Sequence, residues 1–402
     1  MNERLPREFS RRLFLADQCL ASGEGHHLFY NRALAEAALR AGYKPVVLSA
    51  RAMDTRLLAP YQALATFGRD WRARPPRWAL KDWRLLRILD KLSCWRFYRN
   101  LTGAFRTSAP CDGDLIFAQM ITPRNLAAWA RWFLRVETSP RLALHVAYDP
   151  SRYAAHSDYV RWWSMLVKSA RARKVLALTD SEHLVEPYEM LLGCKVGLLP
   201  HVIASSIAVI PPPGVETKPV FGVLGNPRWD KGFCDSIEAI LQISSRADPP
   251  QFIVQTARPD ASSVPWVNKL ESASLPNVEI VPDAMTDEAK YAALFSRITA
   301  FLLPYRLEVY GARTSGIFCE ALASARIVLP TEGSWMSDKA GTEAACVRVP
   351  AASPRALADA IDVVNSNHLK LLGKAERGAA CFRREFSAEN FVGTLFAAAD
   401  RL

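Results

Sequence analysis

The chain has 402 residues, room for two to three domains at roughly 150 residues each, with half of them apolar, 23% charged, 19 Gly and 26 Pro. This composition excludes a disordered, collagen-like or repeat-fibrous protein. A net charge of +11 raises nucleic acid or an anionic membrane as partners, so where that charge sits matters more than its size.

At the start, Arg11 to Asp17 reads as a strand, Ser22-Gly23-Glu24-Gly25 as a turn, His27 to Ala41 as a helix ended by Gly42, and Pro45 to Ala50 as a second strand. The apolar stretch Leu13 to Leu20 is broken by Asp17 and Gln18, and no run approaches the roughly 18 apolar residues of a spanning helix. Secretion and membrane spanning are both disfavoured, and a cytoplasmic location is expected. The eight cysteines show no Cys-x-x-Cys pair and no His at metal spacing, which argues against zinc or a disulfide framework.

Most of the excess charge is local. Residues 69–106 hold eleven Lys/Arg against three Asp/Glu, together with Trp71, Trp78, Trp83 and Trp95. From Leu80 onward, helical spacing puts Arg84, Arg87 and Lys91 on one side and Leu85, Ile88, Leu89 and Leu92 on the other. Such a helix either packs on a core with a solvated face or lies among anionic headgroups, peripheral at the inner face of the membrane. No recognised nucleic-acid module accompanies it, and no nucleic-acid partner is expected. Arg131-Trp132 and Arg161-Trp162-Trp163 repeat the basic, Trp-rich character, and the membrane reading strengthens if all three segments share one surface.

Alternation then continues: strand Leu115 to Met120, helix Asn125 to Arg135, strand Leu142 to Tyr148, helix Tyr159 to Ala172, strand Val175 to Thr179. Ile203 to Pro219, centred on Pro211-Pro212-Pro213-Gly214, reads as a domain boundary. A second series follows: strand Val220 to Leu224, helix Cys234 to Gln242, strands Phe252 to Thr256 and Val278 to Val281, helix Thr286 to Phe295, strand Ile298 to Leu303, helix Ser315 to Ser324, strand Ile327 to Leu329. Helices Pro354 to Val364, Leu369 to Glu385 and Ala388 to Leu402 close the chain. The pattern predicts an α/β protein with two doubly wound, Rossmann-like domains facing each other across a ligand cleft.

Two stretches carry chemistry. In Gly225-Asn226-Pro227-Arg228-Trp229-Asp230-Lys231-Gly232, a strand ends in a Gly/Pro turn that presents Arg228 and Lys231 at the mouth of the next helix. Two cations and a helix start can hold a diphosphate and stabilise it as a leaving group. In Arg313-Thr314-Ser315-Gly316, backbone amides open a helix on which Glu320 falls near the second turn, where a carboxylate can accept both hydroxyls of a ribose. The plain alternatives are a solvated surface loop for the first stretch and a solvent-facing helix residue for Glu320.

Together these stretches resemble the retaining glycosyltransferases of the GT-B fold, particularly family 4. Arg228-x-x-Lys231-Gly232 is similar to the family's diphosphate motif, and Ser315-Gly316-x-x-x-Glu320-Ala321-Leu322-Ala323 to its nucleotide-ribose motif. The resemblance implies an acceptor-side Rossmann-like domain over 1–208, a nucleotide-sugar-binding domain over 209–385, and a C-terminal helix, 386–402, crossing back to the first domain. It implies transfer of a sugar from a nucleotide diphosphate donor to an acceptor hydroxyl with retention, no bound cofactor and no protein nucleophile. Arg228 and Lys231 would neutralise the departing diphosphate, with Arg313, Thr314, Ser315 and Gly316 assisting and Glu320 anchoring the ribose. The acceptor expected is a glycan, polysaccharide or lipid-linked saccharide.

Two family features are absent. The first Glu of the family's Glu-x7-Glu is replaced by Ala312, with Glu308 and Arg313 as possible substitutes, and Ala118-Gln119-Met120 stands where a His-x-His is often found. Ala312 leaves open a catalytically silent scaffold that binds a nucleotide sugar or a partner protein. In the first half, Gly25 of Gly23-Glu24-Gly25 sits where the family's Gly-rich loop approaches donor phosphate or acceptor, a plain tight turn being the alternative. His145 is read as a core histidine. Asp149, at a strand exit before Pro150 and Ser151, is either the acceptor-side carboxylate or a helix cap. Asp112-Gly113-Asp114 reads as a turn into a strand rather than a metal motif, and no essential metal is expected.

Overall fold

Strands covered by helices on both faces read as unbroken apolar runs, and Leu13-Phe14-Leu15-Ala16, Leu115-Ile116-Phe117-Ala118 and Leu142-Ala143-Leu144 are buried end to end. In the computed structural model these runs pair as parallel neighbours. The structure describes residues 11–23, 26–68, 83–154, 157–208, 210, 211, 214, 218–283 and 287–401. The chain divides into two compact units, Met1–Pro200 with Ala388–Leu402, and His201–Ser387.

The first unit runs β1 (Arg12–Ala16), α1 (His26–Arg40), β2 (Lys44–Ala50), β3 (Gln62–Phe67), α2 (Trp83–Ser108), β4 (Leu115–Ala118), α3 (Pro123–Phe133), β5 (Arg141–Val146), α4 (Ser151–Ala154), α5 (Ser157–Val167), β6 (Val175–Thr179), α6 (Glu182–Leu192) and β7 (Val196–Leu198). Its parallel sheet has the order β3-β2-β1-β4-β5-β6-β7, so the winding reverses between β1 and β4. Leu13 lies opposite Pro45 on one side and Leu115 on the other.

The second unit runs α7 (Ser205–Ala208), β8 (Val220–Val223), α8 (Phe233–Ser244), β9 (Gln251–Gln255), α9 (Val264–Ala273), β10 (Val278–Val281), α10 (Glu288–Ser296), β11 (Ala300–Leu303), α11 (Leu307–Tyr310), α12 (Gly316–Ala323), β12 (Ile327–Pro330), α13 (Trp335–Ala340) and α14 (Pro354–Glu385). Its sheet, β10-β9-β8-β11-β12, reverses between β8 and β11. Alternate side chains feed two cores: Phe221, Val223, Phe252 and Val254 pack under α8 and α14, while Leu224, Ile253, Phe301 and Leu303 pack under α10 and α12. Helix α15 (Ala388–Asp400) belongs to the first unit, where Phe391 meets Tyr30 edge-on and Phe396 stacks on Tyr43.

Several elements differ from the expectations. The expected helices Pro354 to Val364 and Leu369 to Glu385 are one 32-residue helix. The polar stretch between them holds neither Gly nor Pro, and its side chains bond back into the helix, Asn367 Nδ2 to the Val363 carbonyl at 2.8 Å. Strand β3, helix α6 with its internal Pro187, strand β7 and helix α9 were not expected from periodicity. Helix α10 starts at Glu288, and Thr286 lies outside the described residues, as do Pro212, Pro213, residues 69–82 and Leu402. Among the described residues no helix is long and apolar enough to cross a membrane.

Candidate functional site

In an open parallel sheet the carboxyl ends of strands at a winding reversal are where loops splay apart to admit a ligand. In the second unit those are the loops after β8 and β11, and they hold the residues singled out from the sequence. Gly225, at φ +91°, turns the chain after β8, and its amide donates to Gln255 Oε1 at 2.7 Å. A side chain there would collide with Lys231 Nζ at 2.6 Å and approach Ile317 of α12 at 3.3 Å. The missing Cβ thus lets the lysine lie over the turn.

A short 3-10 turn, Trp229–Lys231, follows, and Gly232 at φ +60° starts α8. A Cβ on Gly232 would fall 2.0 Å from the Pro304 carbonyl oxygen. The Arg306 amide donates to the Asp230 carbonyl at 3.0 Å, which locks the loop after β11 onto the turn after β8.

Around this junction lie Arg228, Lys231 and Arg313. Arg228 forms a two-pronged pair with Asp230, Nε to Oδ1 at 2.8 Å, and its Nη2 donates to the Tyr310 hydroxyl at 3.3 Å. The Asp230 hydrogen bonds raise the guanidinium's pKa, so Arg228 is held charged. Arg313 lies over the Tyr310 ring, 4.9 Å from its centre. Lys231 Nζ sits 5.9 Å from the Tyr305 ring, and burial, then the repulsion of Arg228 and Arg313, pushes its pKa down to about 8. Arg228, paired with Asp230, and Arg313 thus act with Lys231 at one end of the sheet, and their repulsion of Lys231 is what a bound anion would relieve.

Helix α12 opens with Ser315, whose Oγ accepts from the Phe318 amide at 3.4 Å. Arg313 and Thr314 precede it, and a Cβ on Gly316 would stand 3.5 Å from His201 Nε2. Glu320, one turn on, accepts the Tyr291 hydroxyl at 2.7 Å. Burial pushes its carboxyl up to about 7, against the opposing pull of Tyr291 and His201. Ala312 is half-buried, and Glu308 is exposed on α11.

The first unit's candidates are placed differently. Gly25 lies outside the described residues. Asp149 is exposed, and its Oδ1 accepts from the Ser151 amide at 2.7 Å, a capping bond at the start of α4. His145 is buried on β5 with Nε2 3.5 Å from Asp180. Asp114 is engaged by Arg12 at 2.6 Å and by the Cys111 amide at 2.8 Å, consistent with a turn entering β4.

Sequence reasoning missed a buried polar network at this unit's own winding reversal. Asp17, fully buried after β1, accepts from the Cys19 amide, His27 Nδ1 and Asn31 Nδ2, all at 2.8 Å. Gln119 Nε2, after β4, donates to Asn31 Oδ1 at 3.1 Å. Despite its burial, the neighbouring His27 and these hydrogen bonds hold the Asp17 carboxyl below its ordinary value. Its signal in the sequence was a carboxylate ending an apolar strand.

Comparison with known proteins finds no matching family model and no matching curated protein. Solved structures do match over nearly the whole chain. Sucrose-phosphate synthase from Thermosynechococcus elongatus aligns with TM-score 0.69 at 14% identity, over 98% of this chain and 99% of that one. Anabaena HepE, solved in complex with UDP, aligns with TM-score 0.63 at 13% identity, over 97% and 100%. A UDP-forming trehalose-phosphate synthase from Burkholderia xenovorans gives 0.66 at 10% identity, over 97% and 99%. The fold of this chain is that of the GT-B glycosyltransferases.

Proposed function

We propose that this protein transfers a sugar from a nucleotide diphosphate donor to an acceptor hydroxyl, with retention and without an essential metal. The observation that carries the proposal is the convergence of Lys231, Arg228 and Arg313 where the loops after β8 and β11 meet, with Glu320 one turn into the adjoining helix. The similar structures solved with UDP and with UDP-glucose favour a uridine nucleotide as the donor's carrier.

In this reading the diphosphate lies against Lys231 and the amides opening α12, with Arg228, bonded to the Tyr310 hydroxyl, and Arg313, over the Tyr310 ring, contributing charge. As the sugar–phosphate bond breaks, negative charge grows on the leaving oxygen, and cations already fixed in place stabilise it without reorganising. Glu320 accepts the ribose hydroxyls. The acceptor hydroxyl attacks on the face the diphosphate leaves and gives its proton to the departing phosphate, so the protein supplies no nucleophile. Asp149 is the candidate carboxylate for the acceptor, which we take to be a glycan or a lipid-linked saccharide.

The test is turnover of a nucleotide-sugar panel in the presence of a chelator, with the anomer of the product read by NMR. Activity in chelator with retained configuration is expected, and Lys231→Ala should cost on the order of 2 to 4 kcal/mol of transition-state stabilisation. Ala312 favours one second reading, a scaffold that binds the donor without reacting. Donor binding with neither transfer nor hydrolysis would establish that reading instead.

A further inference from the structure

Helix α2 has two apolar faces. One packs inward: Phe97 stacks on Phe67, Phe105 lies 4.3 Å from Trp132, and Leu101 is fully buried. The other points out. Ile88, Leu92 and Trp95, spaced four and three apart and so on one stripe, are 53%, 45% and 49% exposed. Arg99 continues this stripe with its guanidinium 4.8 Å over the Trp95 ring. The core side is thus filled by other residues, and the outward stripe stays exposed among the described residues.

The structure also joins segments far apart in sequence. Arg131 of α3 donates to Cys94 Sγ of α2 at 3.8 Å and lies 4.9 Å over the Trp162 ring of α5, whose Met165 is 40% exposed. Arg124 of α3 pairs with Asp90 of α2 at 3.1 Å, occupying one of the three acidic side chains among residues 69–106.

We infer that the outward face of α2 docks the protein on an anionic lipid bilayer. Exposed Trp, Leu and Ile beside Lys91, Arg96 and Arg99 suit an interface in which apolar groups enter the acyl boundary while cations meet lipid phosphates. A nucleic-acid duplex would use the cations and leave the apolar stripe in water. The inference rests on this surface alone and stands whether or not the sugar-transfer reading holds.

Co-sedimentation with vesicles, without nucleotide sugar, tests it. The protein should bind vesicles of equal parts phosphatidylglycerol and phosphatidylcholine, and bind phosphatidylcholine alone far more weakly. Binding should fall as salt rises from about 0.1 M to about 1 M. Arg99→Gln should weaken it about fivefold, and Leu92→Ser and Trp95→Ala should weaken it as well. Leu369→Ser, removing an equally exposed leucine from α14 in the other unit, should leave it unchanged. Absent binding, equal binding to both vesicle types, wild-type binding by all three surface variants, or tighter binding to a DNA duplex than to the vesicles would each overturn the inference.

Discussion

The Tyr291 hydroxyl donates to Oε2 of Glu320 at 2.7 Å, and burial of this pair pushes the carboxyl up to about 7. A carboxyl whose folded pKa is raised destabilises the fold when ionised. The penalty starts above the unfolded value of 4.5 and is complete above 7. In the proposed function Glu320 accepts ribose hydroxyls as a carboxylate, yet burial favours its neutral form below pH 7 and makes the ionised form costly to stability, and two measurements follow from that conflict.

Glu320→Gln should raise the melting temperature relative to wild type at pH 8, and the gain should shrink as pH falls from 7 towards 4.5. The same variant should raise the donor KM about tenfold, the loss of a charge-assisted acceptor. Thermal melts across pH, paired with KM at pH 8, check both. A gain independent of pH would contradict the burial argument.

Lys231 supplies the opposite sign. Its pKa, pushed down to about 8, should rise when a diphosphate neutralises the repulsion of Arg228 and Arg313. Nucleoside diphosphate binding above pH 8 should therefore take up a proton. Calorimetry in buffers of different ionisation enthalpy reads that uptake directly, and Lys231→Met should abolish it.

Gly232→Ala should fail for a geometric reason, since its φ is +60° and the new methyl would stand 2.0 Å from the Pro304 carbonyl oxygen. We expect a loss of at least about 2 kcal/mol in chemical denaturation. Diphosphate binding should weaken in parallel because the loops after β8 and β11 can no longer meet.

How much of this was legible beforehand follows from the physics of each signal. The buried runs of β1, β4, β5, β8 and β11 were readable because helices on both faces demand apolar residues throughout. Arg228, Lys231 and Glu320 were readable because glycines and a helix start at fixed spacing mark where backbone turns. The partners that tune them were not: Tyr305, Tyr310 and Gln255 reach the site from a loop, the one-turn helix α11 and a strand end, where side chains carry no periodic mark. Nor could periodicity reveal that α2 exposes Ile88 and Leu92, because an apolar stripe reads the same whether it meets a core or a membrane.

The Asp17 network shows the same limit, and it has its own test. Asp17→Ala would remove the buried acceptor shared by the Cys19 amide, His27 Nδ1 and Asn31 Nδ2, at a cost of about 3 kcal/mol. Denaturant melts would show it. A change below about 0.5 kcal/mol would mean that the network does not support the first unit's fold.

Titration of UDP into wild-type protein, Lys231→Ala, Arg228→Ala and Glu320→Ala reads the grip on the diphosphate and ribose directly. Wild type should bind, and each variant should lose about tenfold or more in affinity, with Lys231→Ala the largest loss. Affinities equal to wild type in all three variants would contradict that grip.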